Sequence, residues 1–264
     1  MKSPPSRRDA IAMKVLSLDT SLDTVSAAVW EGEDAASRGA VDEVRFAERG
    51  AASRDLLPAI HRLLAGRGWS VAQLDGVIVT IGPGSFTGLR VGVSLVKGLA
   101  AARPLRVAAV GTLDAVAAAS GRSGSVAAVV DAGRGEVYAR VFECRDGAAA
   151  PISNETLALP EAWAATVAGD APVCCVGSGA ARHADALRAA LGPRAAIVPD
   201  TMMSAAAGAL RPGVARLIGG AHTPVGALLP RYLRRSTAET NWERGVVGSR
   251  RRKLLGWDPA HGRA

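Results

Sequence analysis

The stretch that most constrains the fold is VIVTIGPGSFTGLRVGVSLVKGLA, residues 77–100. Its β-branched opening predicts a buried strand. The glycines and the proline at 82–84 predict a turn. Ser85 or Thr87 can then cap a helix by accepting a hydrogen bond from an otherwise unpaired backbone N–H. The sequence therefore predicts a strand, a glycine turn and a helix in immediate succession.

The helix of this unit is apolar around most of its circumference. Its two apolar faces share the same helical spacing and consist of Leu89, Val93, Val96 and Ala100, and of Gly88, Gly92, Leu95 and Leu99. A helix of this kind must be covered on more than one side. Either the helix is fully buried in its own domain, or it lies between its own sheet and a partner subunit. In the second case Gly88 and Gly92 would let another backbone approach closely.

The glycine turn also allows an anion-binding interpretation, because a turn that opens a helix presents free N–H groups. The P-loop spacing is absent, since Gly84 and Gly88 lie too close together and no lysine follows Gly88. The dinucleotide-binding motif G-x-G-x-x-G does not fit either, because the glycines at 82, 84 and 88 span one residue more than this motif. A structural turn is favoured, and phosphate binding stays open as the alternative.

The net charge of +8 comes from the two ends of the chain. Residues 13–230 hold 20 basic and 20 acidic side chains. Residues 1–12 add 3 basic and 1 acidic, and residues 231–264 add 9 basic and 3 acidic. A basic tail can contact nucleic acid through its phosphates, and it can also serve only to keep the protein in solution.

Residues 13–110 are predicted to form a first lobe. Strands at 14–18 and 24–30 flank a tight hairpin that begins at Asp19, and a third strand is predicted at about 36–47. Three antiparallel strands followed by a helix are how a lobe of an actin-like ATPase begins.

Residues 111–200 are predicted to form a second lobe on the same plan. The strand at 126–130 is again followed by an aspartate, Asp131, then by a turn and a return strand at 136–142. Residues 145–160 are expected to be irregular.

Two further helices are predicted, at 180–190 and at 203–218, and the second of them is expected to be kinked or interrupted at Pro212. The other divisions are a disordered extension at 1–12, a C-terminal helix and segment at 201–235 that packs back on the lobes, and a basic disordered tail at 236–264.

Cys144, Cys174 and Cys175 make neither a disulfide framework nor a zinc knuckle. They are expected to be small apolar residues in a reducing compartment. No apolar run reaches membrane-spanning length, and Pro4 and Pro5 stand where a signal peptide needs an apolar core. The expected location is the cytoplasm, with no membrane partner.

Five short motifs together resemble one known family. They are LDTS at 18–21, LLP at 56–58, GPGSFTGLR at 82–90, the segment 131–138 and PRYLR at 230–234. Over residues 13–236 the chain is similar, in register, to the TsaB family, also called YeaZ. The resemblance implies an α/β, two-lobed actin-like ATPase (ASKHA) fold, in which an RNase H-like unit is duplicated.

The resemblance also implies a role in making N6-threonylcarbamoyladenosine at position 37 of tRNAs that read codons beginning with A. In this family the subunit does no chemistry itself. It pairs with a TsaD-like transferase, which carries the metal and the transfer reaction, and a TsaE-like ATPase joins the pair. No cofactor is therefore expected in this subunit, ATP and metal belong to its partners, and tRNA is reached through the complex.

By the same resemblance, the helices that start near Arg54 and Phe86 form the dimerisation surface. The implied partner-interface residues are Leu56, Ile60, Phe86, Gly88, Leu89, Gly92, Val93 and Val96. In the free protein this surface is expected to be an exposed apolar patch, which favours a homodimer when the partner is absent.

Neither a catalytic residue nor a metal ligand is expected. The transferase binds metal through two histidines at helical i, i+4 spacing, whereas the histidines here are isolated: His61, His183, His222 and His261. A stand-alone actin-like kinase or ATPase is the alternative function. A peptidase is a weaker one, because no G-x-S-x-G elbow or Cys–His arrangement is present.

The two aspartate-containing turns are similar to the phosphate loops of actin-like ATPases. Asp19, Thr20, Ser21 and Asp131 are therefore candidates for a vestigial phosphate loop. Thr20 and Ser21 stand where glycines would let a backbone wrap a phosphate. Asp19 and Asp23 could also hold a metal-bound water, although hairpin and capping roles are favoured.

Overall fold

The computed structural model describes residues 12–35, 40–46, 54–198 and 204–234. The chain divides into two compact units, Met1–Arg231 and Tyr232–Ala264. Every helix and strand given below belongs to the first unit, and only residues 232–234 of the second unit are described.

A first sheet is built from the N-terminal strands, which are β1 (Met13–Asp19), β2 (Val25–Gly32), β3 (Ala40–Phe46), β4 (Gly76–Thr80) and β5 (Arg106–Val110). Its spatial order is β3-β2-β1-β4-β5, with β1, β2 and β3 antiparallel and β4 and β5 parallel to β1. Helices α1 (Leu56–Gly66) and α2 (Phe86–Ala102) follow β3 and β4. Ile60 of α1 and Val96 of α2 share one core cluster with Leu16 of the sheet, so both helices pack on it.

A second sheet contains β6 (Gly124–Gly133), β7 (Glu136–Arg145), β8 (Ala148–Pro151), β9 (Thr156–Ala158), β10 (Val173–Val176) and β11 (Ala195–Ile197). Its order is β11-β10-β6-β7-β8, and β9 also pairs with β7. The expectation that residues 145–160 are irregular is wrong. Alanines have little strand preference of their own, but β7 offers backbone partners to both β8 and β9, and this pairing decides their structure.

The α-helices between β5 and β11 are α3 (Thr112–Ala119), α4 (Pro160–Ala164), α5 (Ser178–Arg182) and α6 (Ala184–Leu191). The prediction of a single helix at 180–190 is wrong. The chain leaves helical geometry at His183, so this segment forms two helices, α5 and α6. Parts of two predicted elements lie outside the described residues, namely 36–39 and 47 of the third strand and 203 of the last helix.

Helix α7 (Ala205–Ile218) packs on the first sheet and on α3. A Cβ added at Gly213 would come within 2.5 Å of the Ile78 side chain in β4, and one at Gly208 within 2.1 Å of the Ala115 carbonyl in α3. The helix continues through Pro212, so of the two predicted outcomes the interruption is wrong, while the kink stays a prediction. A proline removes one backbone hydrogen bond, and the two glycines on either side of it let the helix pack closely on α3 and β4.

Candidate functional site

Asp19 ends β1 and is fully buried beneath the hairpin that follows. Its Oδ1 atom accepts hydrogen bonds from the Ser21 backbone N–H at 3.2 Å and from the hydroxyl groups of Ser21 and Thr80. Its Oδ2 atom has no hydrogen-bond partner among the described residues. Burial raises the pKa of this carboxyl above its usual 3.8, although the donors to Oδ1 oppose the shift.

The next two residues of the hairpin lie against the start of α2. The Thr20 hydroxyl donates to the Gly88 carbonyl oxygen at 2.7 Å, and the Ser85 N–H donates to the Ser21 carbonyl oxygen at 2.7 Å. Asp19, Thr20 and Ser21 are each at most 1% exposed. A phosphate could reach these three candidates only if the hairpin separated from α2.

The glycines of α2 face this hairpin. An added Cβ at Gly88 would lie 1.8 Å from the Thr20 carbonyl oxygen, and one at Gly92 would lie 2.3 Å from the Thr20 Oγ1. The prediction that these glycines admit a partner's backbone is therefore wrong. The close approach is made by Thr20 of the same chain, because glycine spacing marks a close contact without identifying what makes it.

Most of the implied partner-interface residues are buried inside this chain. Phe86 is half-buried, with the Arg90 guanidinium 3.9 Å from its ring centroid. The buried members, whose apolar side chains are at most 4% exposed, are Leu56, Ile60, Gly88, Leu89, Gly92, Val93 and Val96. The exposed apolar patch expected at these residues is therefore wrong. A partner that docks on α1 and α2 has to contact other side chains.

The outward face of α1 and α2 is more polar than their buried face. On α2, Thr87, Arg90 and Ser94 are exposed and Val91 is half-buried. Their spacing puts these four residues, hereafter the outward stripe, on one side of the helix. On α1, Leu57 is 59% exposed. Among the described large apolar side chains of α1 and α2, Leu57 is the exposed one, and the outward stripe is an accessible face of α2, so a partner can reach both.

Arg231 holds the glycine turn that precedes α2. Its backbone N–H donates to the Ile81 carbonyl oxygen at 2.6 Å, and its Nη2 donates to the Gly82 carbonyl oxygen at 2.9 Å. Gly82 has a φ of +113°, and a Cβ there would lie 2.4 Å from the Arg231 carbonyl oxygen. Only glycine fits at this position. Arg231 of the PRYLR motif thus meets the GPGSFTGLR motif.

The same arginine reaches the second sheet. Its Nη2 pairs with Glu155 Oε1 at 2.6 Å, and Glu155 lies 3.8 Å from Arg140, which lies 3.9 Å from Asp114. Burial raises the pKa of Glu155, and the charges of the two arginines oppose that shift. Sequence analysis does not predict this network. Its only signal is the place of Arg231 within a motif.

Asp131, the aspartate of the second turn, is paired within the chain. Its Oδ2 accepts a hydrogen bond from Arg182 Nη1 at 2.9 Å, and the ring Nε2 of His183 lies 3.3 Å from Oδ1. The side chain is only 13% exposed. Asp131 and Asp19 are therefore both largely enclosed, but Asp131 has a cationic partner, whereas Ser21 and Thr80, which donate to Asp19, are uncharged.

Within residues 12–35, 40–46, 54–198 and 204–234, no three His, Cys, Asp or Glu side chains are placed to hold a metal ion. None of the helices in these ranges has both the length and the apolar character of a bilayer span. Burial raises the pKa of all three free thiols, that of Cys175 to about 12, which makes them poor nucleophiles.

In each of the two sheets, two consecutive antiparallel strands form a hairpin, and the first strand of that hairpin carries an aspartate near its end. This arrangement, with helices packed on and between the two sheets, confirms the predicted α/β class. Residues 48–242 match the family model described as TsaD: tRNA N6-adenosine threonylcarbamoyltransferase. The chain belongs to this family, in its TsaB (YeaZ) branch.

Named relatives agree with this membership. The tRNA threonylcarbamoyladenosine biosynthesis protein TsaB of Bacillus subtilis is 28% identical over 235 residues, which are 87% of this chain and 98% of that protein. The protein of the same name from Escherichia coli is 30% identical over 129 residues, 48% of this chain and 53% of its own length. The solved structure of YeaZ from Pseudomonas aeruginosa has a TM-score of 0.71 and 27% identity, covering 84% of this chain and 100% of that one.

Proposed function

We propose that this chain is the non-catalytic docking subunit of a complex that makes N6-threonylcarbamoyladenosine at position 37 of tRNA. The TsaB name of the Bacillus subtilis relative supports the pathway, since that protein aligns along almost its whole length. The structural observation that carries the non-catalytic role is the burial of Asp19, Thr20 and Ser21 under α2. An actin-like ATPase would need these residues open to a phosphate.

The proposed partners follow from this role. A TsaD-like transferase pairs with the chain, a TsaE-like ATPase joins them, and tRNA is bound by the assembled complex in the cytoplasm. ATP and metal belong to the partner subunits. The division into lobes at 13–110 and 111–200 is part of the same proposal, with 201–235 packing back on both.

We place the docking surface on Leu57 and the outward stripe, because Leu57 is the exposed one among the described large apolar side chains of α1 and α2 and the stripe lies on an accessible face of α2. This surface also serves a homodimer when the chain is alone. One surface cannot hold both partners at once, so the transferase should displace the second copy. In a two-fold homodimer the stripe would meet its own symmetry copy.

The test is co-purification with the TsaD-like protein of the same organism. Ser94→Arg places a large charged side chain in the stripe, and Ser123→Arg makes the same change at an exposed position before β6. The Ser94 variant should lose the transferase and the Ser123 variant should retain it, with both folded by circular dichroism. Capture of the transferase by both variants alike would remove the stripe from the interface.

The alternative functions, a stand-alone kinase or ATPase and a peptidase, predict a different result. Under either alternative the purified chain turns over ATP or peptide by itself. Under our proposal, neither activity survives removal of contaminants. A persistent ATPase activity that vanishes in Asp19→Ala would establish the kinase alternative, because that variant removes the first aspartate of the vestigial loop.

A further inference from the structure

A cleft of about 290 Å³ opens between α3, α7 and β8. Much of its wall consists of alanine methyl groups, contributed by Ala118, Ala148, Ala149 and Ala215. The volume corresponds to about ten water molecules. Ligand sites combine an apolar wall of this kind with a few placed polar groups, and the charged groups here are Arg211 and Asp114.

Arg211 has no counterion in the part of the chain that the structure describes. The side chain is half-buried, and no hydrogen bond or ion pair joins it to another described residue. By contrast, Arg140, Arg182 and Arg231 each lie within ion-pair distance of a carboxylate. A partly desolvated charge is costly unless it is paired, so an anion from solution would be stabilised at Arg211.

The backbone beside Arg211 leaves room for its guanidinium. A Cβ added at Gly147, which has a φ of +74°, would lie 2.9 Å from Arg211 Nη1. Glycine at this turn therefore serves both the backbone conformation and the arginine. The guanidinium keeps its planar set of N–H donors for a ligand, and this fork matches the two oxygens of a carboxylate.

Asp114 restricts the charge of the ligand. It lies 3.9 Å from Arg140, and its Oδ2 lies 2.2 Å from the position that a Cβ at Gly111 would occupy. It forms no ion pair with Arg211. Because Asp114 is itself negatively charged, it disfavours the binding of a dianion such as phosphate more than the binding of a monoanion.

We propose that this cleft binds a small organic carboxylate, whose oxygens pair with Arg211 and whose apolar body rests on the alanine methyls. The inference does not depend on the proposed role in tRNA modification. It uses none of the docking residues on α1 and α2.

The test is a titration of the full chain, with its alanine methyl groups carbon-13 labelled, followed by NMR with isobutyrate as the probe. Isobutyrate should cause saturable shifts at Ala118, Ala148, Ala149 and Ala215. Isobutyramide has nearly the same shape without the charge, and inorganic phosphate carries more charge without the apolar body. Both should bind at least tenfold more weakly.

Two matched variants complete the test. Arg211→Gln should weaken isobutyrate binding about ten- to hundredfold, the range expected for a charge-assisted hydrogen bond. Arg188→Gln removes an exposed arginine on α6 and should bind as the natural chain does. No saturable shifts, equal binding by the Arg211 variant, or equal binding of isobutyramide or phosphate would each overturn the proposal.

Discussion

Arg231 and Gly82 lie against each other through two contacts. The Arg231 Nη2 donates to the Gly82 carbonyl oxygen at 2.9 Å, and the Arg231 carbonyl oxygen lies where it would meet a Gly82 Cβ at 2.4 Å. They are separated by 149 positions in the chain. Because Arg231 also pairs with Glu155, one side chain ties the turn before α2 to the segment between β8 and β9.

Arg231→Met should therefore destabilise the fold. The variant loses the bond to Gly82 and leaves the largely buried Glu155 with Arg140 at 3.8 Å as its remaining cation among the described residues. Since the arginine is 42% exposed, we expect a loss of about 1–2 kcal/mol in the free energy of unfolding by urea. Arg188→Met, at an exposed ion pair, is the control. Equal stability of the two variants would mean that the contact contributes nothing.

Gly88→Ala and Gly98→Ala should have opposite effects, although both lie on α2. A Cβ at Gly88 meets a backbone oxygen of Thr20, whereas one at Gly98 meets nothing within 4 Å. The first substitution should cost about 3 kcal/mol, because the hairpin must move. The second should stabilise by about 0.5–1 kcal/mol, because alanine is the better helix former. Thermal unfolding of both variants measures this, and equal effects would show that α2 is not packed on the hairpin.

Gly92→Ala offers a test of the Thr20 contact by rescue. The three atoms nearest to its Cβ would all belong to the Thr20 side chain, with Oγ1 nearest at 2.3 Å. Adding Thr20→Ala removes that oxygen, so the double variant should be more stable than the additive sum of the two single changes. The same second change should not rescue Gly88→Ala, whose clash is with the Thr20 backbone. Rescue of both variants alike would contradict this geometry.

The pH dependence of stability should report on Asp19. Its pKa is raised in the folded state, so between 3.8 and that raised value the folded chain binds more protons than the unfolded chain. Stability contributed by this group therefore falls as pH rises through that window. Asp19→Asn keeps the acceptor for Ser21 and Thr80 and removes the titration.

The Asn variant should thus gain stability relative to the natural chain as the pH rises from 3.8 through the raised pKa of Asp19. Glu155 titrates in the same direction, but it is present in both proteins and cancels in the difference. Urea unfolding at several pH values gives that difference. If the natural chain instead becomes more stable relative to the variant as the pH rises, Asp19 is stabilised as a carboxylate and the account of its burial is wrong.

Local signals predicted much of the region around Asp19. Ser85 caps α2 by accepting from the Gly88 N–H at 3.2 Å, as the turn sequence indicates. The partner of Gly88 and Gly92 could not be predicted, because a small residue shows that something is close and does not show what it is. The pairing of Arg231 with Glu155 depends on contacts between distant segments, and nothing local to either residue signals it.

The basic tail lies outside the described residues, so its role stays a prediction. The central part of the chain is electroneutral, and any tRNA affinity that this subunit adds should come mainly from Arg250, Arg251, Arg252 and Lys253. A chain ending at Ser236 should bind tRNA more weakly within the complex and with a shallower salt dependence. Identical affinity and salt slope for both lengths would make the tail a solvated appendage.

The central claim is that this chain is required for tRNA modification without performing its chemistry. The direct measurement is formation of N6-threonylcarbamoyladenosine on tRNA by the TsaD-like and TsaE-like proteins of the same organism, with and without this chain. We predict modification only when the chain is added, equally for the natural sequence and for Asp19→Asn. Full modification without the chain would contradict a required subunit, and loss of modification with a folded Asp19→Asn variant that still binds its partner would contradict a non-catalytic one.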